Sequence, residues 1–199
     1  MINIGYQENL IRDLIKLREE EKINYFNVEN DIKRGYIIAR YEKLPLEEKE
    51  LYDGKIKIIL PKSFNIMEED LLHKKYSLYI HPDYVYTSED TTINFNFNLE
   101  EGNILNEDIE EIRGIILKQF SRMYPSSKME DIEILQTEEK KIGTFSFTIP
   151  VLDGYIFNKI YFVPIKIGLL IVSFNCDVFQ KKEWRAILND IILTIKEDI

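Results

Sequence analysis

The sequence predicts an α+β fold in which an antiparallel sheet of about six strands is flanked by helices. Three observations support this class. Strand-like and helix-like patterns occur in separate blocks; four strand candidates follow one another closely between residues 131 and 176; and amphipathic helix patterns lie before and after them. Closely spaced strands are joined most simply as antiparallel hairpins, because a parallel connection needs a dozen or more residues.

An N-terminal extension, residues 1–53, is expected to pack on a main domain of residues 54–199. Within the extension, residues 7–22 should form a helix, because leucine and isoleucine recur there at helical spacing between charged residues. A strand is expected over residues 35–41, and one or two helical turns over the acidic residues 45–51. The Asp-Gly pair at the boundary is a turn signal.

The main domain is expected to contain strands at 55–61, 76–80, 84–87, 91–98, 131–137, 141–150, 155–164 and 169–176. The clearest of them has Ile93, Phe95 and Phe97 alternating with asparagines, which is the period of a half-buried strand. A helix with Asn106 as its candidate N-cap should run to residue 123. A second helix, from residue 178 to 196, should bury a stripe that starts at Trp184.

The composition excludes several functional classes. A net charge of −9 without a basic stripe argues against nucleic-acid binding. The chain has no apolar run of about 20 residues, which a membrane-spanning helix needs, and its start lacks the pattern of a signal peptide. A cytoplasmic location without membrane insertion is therefore expected. One cysteine and two histidines allow no internal disulfide, and we expect no metal and no cofactor.

Cys176 is the strongest candidate for a chemical role, since it precedes the closing helix, where a thiol can be activated. Its position argues against this role. By the two-residue period of a strand, Cys176 continues the apolar row that contains Phe174, where a free cysteine behaves as a small hydrophobic residue. Asp177 should cap the helix, with Gln180 completing a capping-box arrangement. The core interpretation is therefore favoured, and no residue is assigned a catalytic role.

A thiol enzyme would also need a base, and His73 and His81 are the only histidines of the chain. His81 precedes a proline and an aspartate, which indicates a strand exit and a turn. His73 lies in a polar stretch typical of a surface loop or helix end. Both are expected to be surface residues, although distance along the sequence does not prevent contact with Cys176.

Tyrosine is unusually frequent, with 12 residues in the chain. Tyrosine favours strands, and it also provides large contact area at low entropic cost, so that it is enriched in interfaces. Both explanations stay open for each residue. The candidate binding residues are drawn from two clusters and are Tyr76, Tyr79, Tyr84, Tyr86, Tyr155 and Tyr161.

Four further features occur in a characteristic order. They are a strand that ends at Leu60-Pro61 before Phe64, residues 76–87 leading into the alternating strand 91–98, a helix over 106–123, and a meander that delivers Phe174-Asn175-Cys176 into a helix with Trp184. In this order residues 54–199 resemble the PsbP-like family, which includes Ran-binding Mog-type, DcrB-like and type VI effector-adaptor proteins. The resemblance implies a curved antiparallel sheet that serves as a binding surface. The extension departs from the family pattern and leaves open which sheet face is exposed.

Three functional hypotheses follow. The first is a non-catalytic cytosolic protein-binding or adaptor module with a protein partner; the resemblance implies a bacterial secretion or phage-tail-like system as its context. The alternative is a small hydrolase or transferase that uses Cys176 with His73 or His81. The third is a pocket between sheet and helix that holds an apolar ligand.

Overall fold

The computed structural model describes residues 32–39, 42–76 and 81–198, and the helix expected at residues 7–22 lies outside them. The described residues form eleven strands and three α-helices. The strands are β1 (Tyr36–Ala39), β2 (Glu42–Leu51), β3 (Ile56–Pro61), β4 (Asn65–Ile66), β5 (Tyr84–Thr87), β6 (Asn94–Glu101), β7 (Met129–Gln136), β8 (Lys141–Val151), β9 (Gly154–Ile165), β10 (Gly168–Asp177) and β11 (Lys196–Glu197). The helices are α1 (Glu69–Lys75), α2 (Ile109–Met123) and α3 (Lys181–Ile192), with single 3-10 turns at Ile32–Arg34 and Val178–Gln180.

The strands divide into two antiparallel sheets, which confirms the predicted α+β class. The large sheet has the order β4-β5-β6-β10-β9-β8-β7, and the small sheet has the order β1-β2-β3-β11. The four strands of the predicted meander, β7 to β10, are neighbours joined in sequence. The small sheet is not part of the prediction, which placed about six strands in one sheet.

The alternation in β6 defines the two faces of the large sheet. Phe95 lies opposite Phe174 of β10 and is fully buried on what we call the inner face. Asn94 lies opposite Asn175 on the other side, which we call the outer face. Because side chains alternate along a strand, each strand of the sheet contributes to both faces.

The inner face carries the main core, which includes side chains of the small sheet and of α3. Trp184 of α3 is at its centre, with its ring centroid 5.3 Å from that of Phe174 and 5.8 Å from that of Phe64. The apolar stripe of the closing helix is therefore confirmed. Asp177 caps the 3-10 turn through a 2.8 Å bond from Phe179 N, but Gln180 Oε1 has no partner among the described residues, so the reciprocal half of the capping box does not form.

The outer face is partly covered by α2, whose Ile109 packs on a second core cluster with Phe145 and Phe162. Asn106 does not cap this helix, contrary to the prediction. Its side chain instead accepts from Lys141 N and donates to Glu139 O, and so it fastens the turn before β8.

Residues 45–51 lie in strand β2, so the predicted helical turns were wrong. Leu51 pairs with Ile56 and Leu46 with Pro61 of β3, and this pairing overrides the local helical preference of the glutamates. The boundary expected at residue 53 falls in the turn that joins these two paired strands. The division into two domains stays a prediction. Of the strand expected over 76–80, Tyr76 ends α1 and the remaining residues lie outside the described ranges.

Candidate functional site

A pocket of about 700 Å³ lies on the outer face of the large sheet, next to the C-terminal end of α2. Its floor consists of amide side chains from three adjacent strands, Asn94, Asn158 and Asn175. Three tyrosines also line it: Tyr76 after α1, Tyr124 at the end of α2 and Tyr155 near the start of β9. The pocket thus combines a polar floor with aromatic side chains.

Strand register builds this floor. Asn175 of β10 lies opposite Asn94 of β6 on one side and opposite Asn158 of β9 on the other. Asn94 Nδ2 donates to Asn175 Oδ1 at 2.8 Å, and Thr87 Oγ1 donates to Asn94 Oδ1 at 2.7 Å. These bonds hold the amides of buried Asn94 and half-buried Asn175 in fixed orientations, because a buried polar group without a partner costs free energy.

Tyr76 is fixed by the same polar row. Its hydroxyl donates to Asn96 Oδ1 at 2.7 Å, and Asn96 Nδ2 donates to Ser173 Oγ at 3.0 Å. Burial raises the pKa of the Tyr76 phenol, and hydrogen bonds with Asn175 and Asn96 offset part of this effect. The phenol is therefore a neutral group at physiological pH.

Asn158 differs from the other floor residues in its remaining hydrogen-bonding capacity. It is half-buried, and its Nδ2 donates to Ile156 O at 3.2 Å. Among the described residues no donor is bonded to Asn158 Oδ1. An asparagine amide has two donor hydrogens and an acceptor oxygen, so one donor and the acceptor are available to a ligand.

Exposed apolar residues lie next in the chain to residues that line the pocket. Leu152, at the tip of the β8–β9 hairpin, is fully exposed, and its neighbours Val151 and Tyr155 are also exposed. Phe179 is 92% exposed in the 3-10 turn that directly follows β10 and contacts β9. We call the pocket, this hairpin tip and the 3-10 turn together the pocket end of the large sheet.

Charges at the pocket have mixed sign. Lys75 lines one side, where its ammonium donates to Thr91 O, and burial lowers the pKa of Lys75. Asp153 and Asp177 line the other side, next to the hairpin tip and the 3-10 turn. The pocket therefore has no strong preference for an anion.

The predicted tyrosines fall into two groups. Tyr76 and Tyr155 meet at the pocket, whereas Tyr79 lies outside the described residues. Tyr84 and Tyr86 are on β5, opposite the inner-face side chains Phe97 and Phe95.

Tyr161 is fully buried on the inner face, where its hydroxyl donates to Asn189 Oδ1 at 2.9 Å. Tyr86 is also buried, and its hydroxyl donates to Glu50 O at 3.3 Å. Tyr84 is half-buried against Tyr52, with ring centroids 5.0 Å apart. These three tyrosines therefore pack on the inner-face side of the large sheet, and none of them lines the pocket.

Cys176 is in the main core and 1% exposed, as the core interpretation predicted. Burial raises the pKa of its thiol to about 12, so the thiolate form is suppressed at neutral pH. No hydrogen bond within the described ranges joins this thiol to a histidine. His73 and His81 lie near each other, with ring centroids 6.1 Å apart, beside α1. The thiol has neither the exposure nor the ionisation that a nucleophile needs.

Sequence reasoning missed Asn158, Asn175, Tyr124, Leu152 and Phe179. Asn175 carried a usable signal, because it lies between Phe174 and Cys176 as Asn94 lies between Ile93 and Phe95, whereas Asn158 is followed by Lys159 and carried no such signal. Their assembly depends on the register of three strands, which the sequence pattern alone does not specify. Within the described ranges no helix is long and apolar enough to cross a membrane, and no three His, Cys, Asp or Glu side chains are grouped to hold a metal ion.

The fold is similar to solved structures at low sequence identity. Cyanobacterial PsbP (CyanoP) from Synechocystis sp. PCC 6803 aligns with a TM-score of 0.57 and 9% identity over 81% of this chain and 94% of that chain. The Ran-binding protein Mog1p of Saccharomyces cerevisiae aligns with a TM-score of 0.53 and 15% identity over 77% of this chain and 96% of that chain. The PsbP-like resemblance is thus confirmed for the fold. No protein-family model matches the sequence, and neither does any curated protein.

Proposed function

We propose that this protein is a non-catalytic binding module that holds a protein partner at the pocket end of the large sheet. The observation that carries the proposal is that fully exposed Leu152 lies between two pocket-lining residues, Val151 and Asp153, and that almost fully exposed Phe179 follows the lining residue Asp177 by two positions. Clustered exposed apolar residues next to a concave surface are typical of interaction sites.

Leu152 and Phe179 have apolar surface that a partner could bury. Burying one leucine or phenylalanine side chain contributes about 1.5–3 kcal/mol, and neither side chain now contributes to the core. Tyr155 adds an aromatic ring that loses little conformational freedom on binding. A partner that covers these three side chains therefore gains the main part of a stable interface without any change in the fold.

The burial of Cys176 supports the non-catalytic part of the proposal. Cys176, the strongest candidate for chemistry, is buried and has a raised pKa. Its burial also removes the basis for the alternative, a thiol hydrolase or transferase with His73 or His81.

Charge and fold indicate the kind of partner. A net charge of −9 favours association with a protein whose surface is basic, since complementary charge steers the encounter. Mog1p, which has this fold, is described as a Ran-binding protein, so the fold is compatible with holding a protein. We extend the proposal to a cytosolic adaptor in a bacterial secretion or phage-tail-like system. That extension rests on the family resemblance, and the neighbouring genes of the host would test it.

Affinity capture from the native host with three baits tests the proposal. The baits are the wild type, the double variant Leu152→Ser/Phe179→Ser, and the control Leu105→Ser. Leu105 is half-exposed and follows the opposite end of β6, so the control removes a similar side chain away from the pocket end. We expect a stoichiometric protein with the wild type and the control, and a loss of at least about 30-fold in affinity with the double variant. Equal capture by all three baits, or no stoichiometric protein with the wild type, would contradict the proposal.

A further inference from the structure

We infer that the pocket recognises a neutral amide group of the partner, from its main chain or from an asparagine or glutamine side chain, and that Asn158 is the residue that binds it. The inference rests on the proposed function, because it names the chemical group that the same site takes.

The asparagines of the floor differ in their remaining hydrogen-bonding capacity. Asn94 uses both ends of its amide, since its Nδ2 donates to Asn175 and its Oδ1 accepts from Thr87. Asn158 uses one of its donor hydrogens, on Ile156 O, and no donor among the described residues is bonded to its oxygen. A free donor beside a free acceptor on one planar group is complementary to another amide, which offers the same pair in reverse.

The charged residues of the lining disfavour an anionic ligand. A carboxylate or phosphate on this floor would approach Asp153 and Asp177, which line the same pocket. The one lysine of the lining, Lys75, already donates to Thr91 O. An ammonium group would be attracted to the same two carboxylates, so charge alone excludes only the anion, and the Asn158→Asp variant below separates a cation from a neutral group. A neutral amide avoids the repulsion that an anion meets.

The surfaces near Asn158 suit a planar group. Asn158 lies in register with Phe147 of β8, and the ring of Tyr124 stacks on that phenylalanine with centroids 5.7 Å apart. Tyr124 and Ile156 therefore place flat or apolar surfaces on the sheet face that carries Asn158. The faces of a planar peptide group suit such surfaces, while its edge carries the hydrogen bonds that Asn158 can complete.

Nuclear magnetic resonance titration of the full chain with small probes tests this inference. The probes are N-methylacetamide, acetate, methylammonium and 2-propanol, each added to the ¹⁵N-labelled wild type and to Asn158→Leu and Asn158→Asp. We expect N-methylacetamide to shift the side-chain amide signal of Asn158 and the backbone signals of Tyr155 and Asn175 in a saturable way. Loss of one or two hydrogen bonds should weaken this binding about 3- to 30-fold in both variants.

The variants separate the possible ligands. Asn158→Leu would strengthen 2-propanol binding if the site took an apolar group, and Asn158→Asp would strengthen methylammonium binding if it took a cation. Either result, or acetate as the tightest probe, would overturn the inference, and so would N-methylacetamide shifts that are the same in all three proteins. Thermal unfolding of each variant checks that the fold is retained. Loss of the host partner in Leu152→Ser/Phe179→Ser without an N-methylacetamide site would leave the proposed function standing and refute this inference alone. Saturable N-methylacetamide binding at Asn158, combined with unchanged partner capture by Leu152→Ser/Phe179→Ser, would refute the proposed function alone.

Discussion

Asp131 links the edge strand β7 to α3 through hydrogen bonds. Replacing it with asparagine measures how much these bonds contribute to the free energy of unfolding. Its Oδ2 accepts from Ser146 Oγ and from Arg185 Nε, both at 2.9 Å, and its Oδ1 accepts from Arg185 Nη2. The backbone of Asp131 has φ of 48°, a left-handed conformation that asparagine also tolerates. Asp131→Asn therefore removes the charge and leaves the backbone preference unchanged.

The expected loss of stability in Asp131→Asn follows from how far the side chains of Asp131 and Arg185 are buried. The Asp131 side chain is 10% exposed, and a hydrogen bond to a charged group contributes about 1.5–3 kcal/mol. Arg185 is 48% exposed, so solvent screens its part of the interaction, and we discount the total to about 1–2 kcal/mol. The equilibrium constant for unfolding should rise about 5- to 30-fold in the variant at neutral pH.

The stabilisation by Asp131 depends on pH, because only the ionised carboxylate makes these charged hydrogen bonds. Burial raises the pKa of Asp131, but hydrogen bonds from Arg185 and Ser146 outweigh burial and hold the pKa below its usual value. The ionised carboxylate therefore favours the folded state. This contribution is present above the unfolded pKa of about 4 and is lost as the pH falls through the folded pKa.

Urea denaturation followed by the fluorescence of Trp184, the only tryptophan, measures the free energy of unfolding of both proteins from pH 7 to pH 3. We expect a difference of about 1–2 kcal/mol that stays constant from pH 7 to about pH 5 and then shrinks toward pH 3, as the carboxylate of the unfolded chain becomes protonated. Asp153→Asn, an exposed carboxylate, is the control and should change stability by less than about 0.5 kcal/mol. A difference between wild type and Asp131→Asn that is constant with pH would refute the electrostatic account.

Two further predictions concern the core and a turn. Cys176→Ser should keep partner binding and cost about 1–3 kcal/mol, since it buries a hydroxyl in an apolar site, and iodoacetamide should modify Cys176 only after unfolding. Fast modification of the folded protein would contradict this. Gly168→Ala should cost about 2–4 kcal/mol by urea denaturation, because φ is +154° and a Cβ would lie 2.1 Å from Glu100 O. Gly102→Ala, where a Cβ meets nothing within 4 Å, is its control, and equal costs would refute the steric argument.

Local periodicity predicted much of the large sheet correctly. The alternation of Phe95 and Phe97 with asparagines is set by neighbouring residues, and so is the helical stripe that starts at Trp184. Each of these patterns has one arrangement that buries its apolar side chains. Where the burial of a segment's own apolar side chains decides its conformation, its sequence pattern was sufficient to predict that conformation.

Other features depend on partners distant in sequence. Residues 45–51 form a strand because Leu46 and Leu51 pair with β3, although their glutamates favour a helix. The pocket floor needs Asn94, Asn158 and Asn175 in register, and these residues come from three strands spread over 82 positions, from 94 to 175. Register follows from the full set of hairpins and not from any one strand.

Hydrogen exchange of the amides, measured with and without the captured partner, tests the central claim most directly. The account predicts that binding slows exchange at residues 149–158 and 175–179, which form the floor and the mouth of the pocket, and leaves the small sheet unchanged. Protection confined to the small sheet or to the outer side of α2, with unchanged exchange at the pocket end, would contradict it.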